Sequence, residues 1–346
     1  MRPVVDTAPA DIVGANTLSF PVLIGDIGGT NARFAQIHGP DEPLERFPTV
    51  RTRDYATFSE AMRAAAADCK RPPRSAVIAL AGPVTGDTIQ LTNAPWLVQP
   101  KKAIEQLDLD CMIVLNDFEA QSLSLPALDG DDLRSLGGGM PRVGNKVVVG
   151  PGTGLGAAAL VWVNHAWVPV AGEGGHMDLG PVTASDFALW PHLEPRDGRI
   201  SGEAILSGSG MVRLYRGICA VHGLPQMHRT PEEVTEAGLA KADRAATETL
   251  HMFATCLGRV AGDLALVFMA RGGVYLGGGI SALISSVLAE GAFREAFCAK
   301  APHEGLLEDT SAVVIVASDA ALRGIETFVR DPGSFVMDLD ERTWTP

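Results

Sequence analysis

The sequence is short of positive charge and of cysteine. Its 346 residues contain 28 lysines and arginines against 41 aspartates and glutamates, a formal net charge of -13. This balance argues against a nucleic-acid partner, because phosphate contacts need clustered lysine and arginine. The five cysteines are scattered and form no C-x-x-C pair. The spacing therefore indicates neither a zinc cluster nor a disulfide scaffold, and reduced thiols are expected.

Several catalytic and targeting signatures are also missing. There is no Gly-Lys-Ser/Thr of a P-loop, no G-x-S-x-G elbow and no H-E-x-x-H zinc helix. The N-terminus lacks the basic start and apolar core of a signal peptide, and no apolar run reaches bilayer-spanning length. We therefore expect a cytoplasmic protein without a membrane partner. Residues 1–19 carry little pattern and are expected to form a loose extension.

The most informative stretch is LIGDIGGTNARF, at residues 23–34. An apolar run leads to Asp26 and then into a turn of Gly28, Gly29 and Thr30. Glycines let backbone N–H groups approach an anion closely, and the threonine hydroxyl adds a donor. Asp26 would repel a bare phosphate, so it fits mainly as an organiser of Mg²⁺ and its waters. The stretch predicts a strand–turn–strand site for nucleotide phosphates.

A second apolar segment with a glycine turn in its middle, KVVVGPGTGLGAAALVWV, occupies residues 146–163. Gly152, Gly154 and Ala157 match a loose dinucleotide fingerprint, which requires a helix directly afterwards. The aromatic and β-branched residues that follow, around a polar turn at 164–165, instead predict a β-hairpin. One such glycine turn could be a tight hairpin without a ligand. Two of them favour two related α/β halves around a shared cleft.

Hydrophobic periodicity and capping residues predict the other elements. Helices are expected over 54–69, 101–107, 122–128, 244–269 and 320–329, with a further start at Thr230, and strands over 76–80, 111–115 and 312–317. The glycine-rich, acidic loop 129–145 is the best internal boundary. The resulting division is a smaller α/β domain of residues 20–128 plus 318–346, and a larger α/β domain of residues 129–317.

Polar residues stand out at three other points. Asn116 and Asp117 follow five apolar residues directly, where α/β proteins place ligand-binding groups, although the pair could equally cap the next helix. Glu173 and His176 lie among three glycines, with little core to fill. A carboxylate and an imidazole together suit a polyol, the alternative being a solvated loop. Glu203 could simply begin a helix.

In their order along the chain, these motifs resemble the ATP-dependent bacterial glucokinases. The shared segments are DIGGTNAR, LAGPVTGD with LTN, NDF, GPGTGLG, GEGGHMDLGP, LSGSGMVRLYR and GGVYLGGGI, over about residues 23–324. The resemblance implies an α/β fold of the two-domain ribonuclease H-like/actin-like ATPase type, with an interdomain cleft. A neighbouring sugar-kinase and repressor family carries a zinc-binding cysteine cluster after its Gly-His segment. No cysteine follows His176 here, which favours the glucokinases.

The resemblance also implies a role for each matching residue. Asp117 would be the catalytic base for the sugar 6-hydroxyl, and Asn116 would bind ring hydroxyls beside it. Glu173, His176 and Glu203 would bind the anomeric end of glucose. The phosphates, Mg²⁺ and adenosine would be met by residues of three glycine-rich turns: Asp26 (through a metal-bound water), Gly28, Gly29, Thr30, Asn31, Thr153, Gly154, Gly278 and Gly279. Thr153 and Gly154 could instead meet the sugar in a closed site.

The implied reaction transfers the γ-phosphoryl group of ATP to the 6-hydroxyl of glucose, with Mg²⁺ and with a domain closure that excludes water. A homodimer is expected from the same resemblance. Alternatives are a kinase for another hexose, a sugar sensor without useful turnover, or a phosphoryl donor other than ATP. One departure is the segment SDAALRG at 318–324, which replaces an expected Asn-Pro-Gly-like turn and leaves the adenine contacts there open.

Overall fold

The structure is a computed structural model and describes residues 18–82, 84–91 and 96–346. Most of the expected N-terminal extension therefore lies outside the described residues, as do Pro83 of LAGPVTGD and both Thr92 and Asn93 of LTN. By its internal contacts the chain forms two compact units. Unit 1 comprises the described residues up to Ala127, together with Trp162–Pro169 and Asp319–Pro346; unit 2 comprises Leu128–Val161 and Val170–Ser318.

The strands, in chain order, are β1 (Val22–Ile27), β2 (Asn31–Ile37), β3 (Leu44–Arg46), β4 (Val50–Arg51), β5 (Ser75–Leu80), β6 (Ile89–Gln90), β7 (Leu97–Val98), β8 (Cys111–Asn116), β9 (Leu133–Ser135), β10 (Lys146–Pro151), β11 (Leu155–Val163), β12 (Ala166–Gly172), β13 (Val274–Leu276), β14 (Ala312–Ile315) and β15 (Thr343–Trp344). The α-helices are α1 (Phe58–Ala67), α2 (Pro100–Leu107), α3 (Asp117–Ser124), α4 (Ala184–Leu189), α5 (Gly202–Ile205), α6 (Gly208–His222), α7 (Pro231–Leu239), α8 (Arg244–Val267), α9 (Gly278–Leu283), α10 (Ser285–Leu288), α11 (Ala292–Cys298), α12 (Glu304–Asp309) and α13 (Ala320–Arg330).

The main sheet of unit 1 has the order β15–β8–β5–β1–β2–β3, with β4 paired to β2. Strands β1, β5 and β8 are parallel, and β2 returns antiparallel to β1. The whole of β5 is buried, as expected for a strand covered on both faces. The register pairs Ile27 with Leu80 and Leu80 with Asn116. The C-terminal ends of the three parallel strands therefore lie side by side, at one edge of the sheet.

Helices cover both faces of this sheet. Ile27 of β1 packs in one apolar cluster with Phe58 of α1 and Ile104 of α2. Alternate strand residues point to the opposite face, where α13 contacts β1, β2 and β5 and lies against α3. A Cβ on Gly324 of α13 would overlap the carbonyl group of Ala120 in α3. Glycine at this position therefore allows the two helices to approach closely.

The sheet of unit 2 has the order β12–β11–β10–β13–β14–β9. Strands β10, β13 and β14 are parallel, and the register aligns Val149 with Leu276. Strand β11 returns antiparallel to β10, so no helix follows the glycine turn. The turn into β12 has Asn164 at φ 48° and His165 at φ 65°, the left-handed backbone of a tight hairpin turn. The predicted hairpin is confirmed.

The core of unit 2 is built around α8. Leu250, Phe253, Leu257 and Leu264 of this helix are buried, as its apolar stripe predicts, whereas Val267 at its end is exposed. In the part of the chain that the structure describes, α8 is also the one helix long and apolar enough to cross a membrane. However, 67% of its apolar window is buried inside the protein. Its composition is that of a core helix.

One segment differs from the expected domain boundaries. Trp162–Pro169, at the tip of the β11–β12 hairpin, belongs to unit 1 by its contacts. Trp167 forms a parallel bridge with Phe335, and its carbonyl oxygen accepts a hydrogen bond from the Val336 N–H at 2.8 Å. The sequence-based division assigned the whole of residues 129–317 to the larger domain.

The structure confirms both hairpins around the glycine turns and the helix start at Thr230, which carries a complete capping box. The prediction of a helix over 122–128 is wrong in its bounds, because α3 runs over Asp117–Ser124. The Asn116 side chain caps this helix, so it begins directly after β8. The expected loop 129–145 contains β9, which pairs with β14 at the sheet edge.

Candidate active site

The first glycine turn of unit 1 joins β1 to β2. Asp26 lies opposite Arg33 in the register of these strands, and its Oδ2 accepts from the Arg33 guanidinium at 3.2 Å. The carboxylate is only 16% exposed, and this burial raises the pKa of Asp26, which Arg33 partly offsets. The Gly28 N–H donates to the Asn31 carbonyl at 2.9 Å and closes the turn.

Thr52 holds this turn from the side. Its hydroxyl donates to the Gly29 carbonyl at 2.7 Å, and its N–H donates to the Thr30 carbonyl at 3.0 Å. Thr52 is buried, whereas Thr30 is exposed at the tip of the turn. The two hydrogen bonds from Thr52 therefore fix the backbone that carries the exposed Thr30 hydroxyl. Nothing in the sequence around Thr52 indicates this role.

The ends of the three parallel strands are tied together. The Ala81 N–H donates to the Ile27 carbonyl at 3.2 Å, and the Asn116 Nδ2 donates to the Gly82 carbonyl at 3.1 Å. The Asn116 Oδ1 accepts from the N–H groups of residues 118 and 119 at 2.9 and 3.1 Å. Within unit 1, the Asp26 turn and the Asn116–Asp117 pair therefore lie at the same sheet edge.

Asp117 is the first residue of α3 and is half-buried. Its Oδ1 accepts from the Phe118 N–H at 3.0 Å, so the carboxylate also interacts with the helix N-terminus. The capping interpretation is confirmed, while the ligand-binding role of the pair stays a prediction. Asn116 is the capping residue, and Asp117 follows it with a carboxylate at the end of β8.

A buried ion pair lies behind this corner. Glu119, in the first turn of α3, is 2% exposed, and its Oε2 is 2.5 Å from the Arg342 Nη1. The same oxygen accepts from the Asn116 N–H at 3.4 Å, which completes the capping box. Arg342 precedes β15, whose Trp344 pairs with Met112 of β8. The C-terminal segment thus supports the start of α3, and no sequence pattern indicated this contact.

In unit 2 the two remaining glycine turns lie side by side, because β10 and β13 are neighbours. The Gly152 N–H donates to the Gly154 carbonyl at 2.8 Å, and Thr153 between them is exposed. Gly278 has φ +76°, and a Cβ there would overlap the carbonyl group of Pro151. Only glycine fits such a close, left-handed backbone. A Cβ on Gly279 would meet nothing within 4 Å.

Glu203, on α5, has both carboxylate oxygens engaged. Its Oε2 accepts from the Leu155 N–H at 3.0 Å, and its Oε1 is 2.8 Å from the Arg196 Nη1. A Cβ on Gly154 would overlap that Oε2, so the glycine leaves room for the carboxylate. The side chain is 14% exposed, and these two donors fix its orientation.

Glu173 and His176 join Glu203 in one cluster of unit 2. The His176 Nε2 lies 3.7 Å from the Glu173 Oε2 and 3.9 Å from the Glu203 Oε2. The imidazole is 48% exposed and the Glu173 side chain 68% exposed. A Cβ on Gly175 would overlap the Leu155 carbonyl, so the segment can lie this close to β11 only with glycine. The cluster offers adjacent acceptors and a donor to solvent.

The acidic and imidazole groups do not form a metal site by themselves. Among residues 18–82, 84–91 and 96–346, no three His, Cys, Asp or Glu side chains gather as metal ligands. Mg²⁺ commonly uses one or two carboxylates together with substrate phosphates and waters. A single carboxylate beside a glycine turn, as at Asp26, fits that mode of binding and does not fit an all-protein cage.

Comparison with known proteins identifies the family of the chain. The family model described as "Glucokinase" matches residues 23–332. The glucokinase of Brucella suis is 49% identical over 337 residues, which cover 97% of this chain and 98% of that protein. The crystal structure of a glucokinase from an Antarctic psychrotroph superposes with a TM-score of 0.80 at 31% identity, covering 90% of this chain and 99% of the other.

A more distant likeness concerns the fold alone. A ROK-family glucokinase from Streptomyces griseus, solved in complex with glucose and AMPPNP, has a TM-score of 0.59 at 20% identity. The alignment covers 90% of this chain and 99% of that one.

The fold and the comparisons define the class first: this is an α/β protein with the actin-like ATPase fold, an ATP-dependent phosphotransferase of the hexokinase type. Within that class, the chain belongs to the glucokinase family. The resemblance inferred from the ordered motifs and the fold class are thereby confirmed.

Proposed function

We propose that this protein transfers the γ-phosphoryl group of ATP to the 6-hydroxyl of glucose, giving glucose 6-phosphate and ADP. The observation that carries this proposal is the cluster of Glu173, His176 and Glu203, whose carboxylates and imidazole suit adjacent hydroxyls. The Streptomyces griseus protein, which shares the fold, was solved with glucose and an ATP analogue.

In this proposal Asp117 is the general base that accepts the proton of the attacking 6-hydroxyl. The capping box supports the assignment, because it fixes the backbone from which the carboxylate extends. Asn116 uses one amide N–H on the Gly82 carbonyl, and its second N–H is left for a ring hydroxyl. Phosphoryl transfer demands alignment and charge neutralisation more than covalent chemistry, so such positioning is the main contribution.

The anomeric end of the sugar is assigned to unit 2. Glu173 and His176 would bind the 1- and 2-hydroxyls with Glu203. The Arg196 guanidinium and the Leu155 N–H orient the Glu203 carboxylate, which retains lone pairs for a sugar hydroxyl. Gly154 contributes by leaving space for that carboxylate.

The nucleotide is assigned to the glycine turns. Gly28, Gly29, Thr30 and Asn31 would meet the phosphates, with Thr153, Gly278 and Gly279 from unit 2 on the phosphate and adenosine side. Asp26 would hold Mg²⁺ through a bound water. When bound, the metal would neutralise phosphate charge. Because the chain has a net charge of -13, backbone N–H donors of these turns, and not a basic composition, would bind the phosphates.

Initial rates with Mg-ATP over a panel of glucose, mannose, fructose, glucosamine and N-acetylglucosamine test the proposal. Strong selectivity for glucose is the expected result. A preference for another sugar would replace the substrate while leaving the class of reaction intact. Glucose binding without turnover would instead favour a sugar sensor or a phosphoryl donor other than ATP.

We further infer that glucose binding is accompanied by domain closure, because water competes with the sugar as an acceptor and has to be excluded. Small-angle X-ray scattering should then show a smaller radius of gyration when saturating glucose is added. An unchanged scattering curve would contradict the closure. The family membership also leads us to propose a cytoplasmic homodimer, for which light scattering after size exclusion should give twice the 36.4 kDa chain mass.

A further inference from the structure

A cavity of about 570 Å³ lies beside α6 in unit 2. Its walls come from α6, from the segment around His192 and Glu194, and from the segment just before α7. The volume lies within the range that binds small molecules in proteins. None of the residues assigned above to glucose or to the nucleotide lines this cavity.

The cavity walls carry a concentration of positive charge. Arg213 and Arg216, three residues apart on one side of α6, line it together with Arg229. Glu194 is the one acidic residue among the lining residues. The chain as a whole has a net charge of -13, so a cluster of three guanidinium groups runs against its general composition.

These arginines form no close ion pair with the residues that the structure describes. Within the described ranges, neither the Arg216 nor the Arg229 guanidinium lies within 4 Å of a carboxylate oxygen, although the Glu233 carboxylate is near enough to Arg229 to interact electrostatically. Arg213 donates from Nη1 to the Ala204 carbonyl at 2.5 Å, and its buried Nε has no hydrogen-bond partner there. Burial lowers the pKa of Arg213, and Arg196 and Arg216 lower it further, while Glu194 opposes them.

Guanidinium groups arranged around a cavity suit an anion with several oxygen atoms. Their planar donors match the oxygens of a phosphate group in pairs, and such charge-assisted hydrogen bonds are the stronger ones. We propose that this arginine-lined cavity binds a small phosphate ester at a site separate from those for glucose and nucleotide. The site is independent of the proposed reaction, although Arg213 connects it to α5, which carries Glu203.

Calorimetric titration of the full chain tests this proposal. The probe is glycerol 3-phosphate, added in the presence of saturating glucose and Mg-ADP so that the proposed active site is already filled. The double variant Arg216→Gln/Arg229→Gln should bind the probe at least about tenfold more weakly than the wild type, since each lost guanidinium removes charge-assisted hydrogen bonds. Both side chains are exposed, so folding should be unaffected.

The matched control is Arg271→Gln, which removes an exposed arginine of unit 2 outside the cavity. It should bind the probe within twofold of the wild type, and glycerol should not bind. The double variant should also retain its kcat with glucose and Mg-ATP within twofold. Loss of phosphate-ester binding at the cavity can therefore be distinguished from failure of the proposed kinase reaction.

Three results would overturn the proposal. The double variant could bind glycerol 3-phosphate as well as the wild type does. Mg-ADP could abolish binding of the probe, which would make the cavity part of the nucleotide site. Inorganic phosphate could bind more tightly than the ester, which would contradict an ester site.

Discussion

Glycine at position 154 has a definite steric function. A Cβ there would overlap the Glu203 Oε2, which accepts a hydrogen bond from the neighbouring Leu155 N–H. The clash is with the end of a flexible side chain, and relieving it requires a shift of the carboxylate that Arg196 also holds. The glycine thus matters for the position of an acidic side chain in the cluster assigned to the sugar.

Gly154→Ala should therefore raise the KM for glucose by about tenfold or more, because losing one charged hydrogen bond costs about 1.5–3 kcal/mol. Steady-state kinetics with varied glucose measure this. Gly152→Ala is the control, since a Cβ at Gly152 meets nothing within 4 Å, and its glucose KM should change less than twofold. An unchanged KM for Gly154→Ala would refute the role given to Glu203.

Asp186 shows how a buried charge is compensated. Its side chain, 1% exposed, accepts from the N–H of Thr183, the capping residue of α4, and lies 2.8 Å from the Arg259 guanidinium of α8. Burial alone would raise the pKa of Asp186, but the N–H groups of Thr183 and Val182, with Arg259, hold the pKa below its ordinary value of 3.8. The carboxylate therefore stabilises the folded protein above that value, and the contribution is lost as the pH falls through the lower, folded pKa.

At pH 7, Asp186→Asn should lower the free energy of unfolding by about 3–5 kcal/mol, because it leaves Arg259 buried without its counter-charge. The difference in unfolding free energy between variant and wild type should become smaller as the pH falls below 3.8, because Asp186 of the wild type then loses its charge. Urea unfolding at a series of pH values measures it. Asp129→Asn, at an exposed aspartate, should show little difference throughout. If the difference in unfolding free energy between Asp186→Asn and the wild type did not change with pH, the role given to the Asp186 charge would be wrong.

Among the secondary-structure elements, β15 and α3 are linked in a way that bears on the candidate base. The Arg342 side chain, just before β15, compensates the buried Glu119 carboxylate in the first turn of α3. The Arg342 carbonyl also accepts from the Val114 N–H of β8 at 3.0 Å. The family model ends at residue 332, so this support lies beyond the matched segment.

Arg342→Leu should destabilise the protein by about 3–5 kcal/mol, because it leaves the Glu119 carboxylate buried and unpaired. The double variant Glu119→Leu/Arg342→Leu should recover much of this loss, since no charge then remains buried. Urea unfolding of both variants, with Arg51→Leu at an exposed position as control, makes the comparison. Equal instability of the single and double variants would mean that packing, not charge, explains the contact.

The sequence predicts the elements whose signals are local. Glycine turns between apolar runs indicate the two hairpins, and periodicity with a capping box indicates α7 and α8. Contacts between distant residues leave no such pattern. Thr52 on the Gly29 carbonyl and Asp186 on Arg259 could not be predicted for this reason. Periodicity alone placed the start of α3 too late, at residue 122, whereas the capping interpretation of Asn116 is confirmed: this asparagine both ends β8 and caps the helix.

Across the whole molecule, the glycine turns and polar segments that carry the resemblance are divided between the two units. Unit 1 contains the Asp26 turn and the Asn116–Asp117 pair; unit 2 contains the cluster around His176 and two glycine turns. The comparisons establish family and fold over most of the chain. The assignment of a base to Asp117 is the step on which the proposed mechanism depends most.

The most direct measurement is therefore kcat with saturating glucose and Mg-ATP for the wild type and for Asp117→Ala, with glucose affinity determined calorimetrically. Asp68→Asn, an exposed aspartate of unit 1, is the control and should match the wild type. General-base catalysis contributes about 10²–10⁴-fold, so kcat of Asp117→Ala should fall by that factor while glucose binding is only weakened. Near-normal turnover by Asp117→Ala would contradict the mechanism.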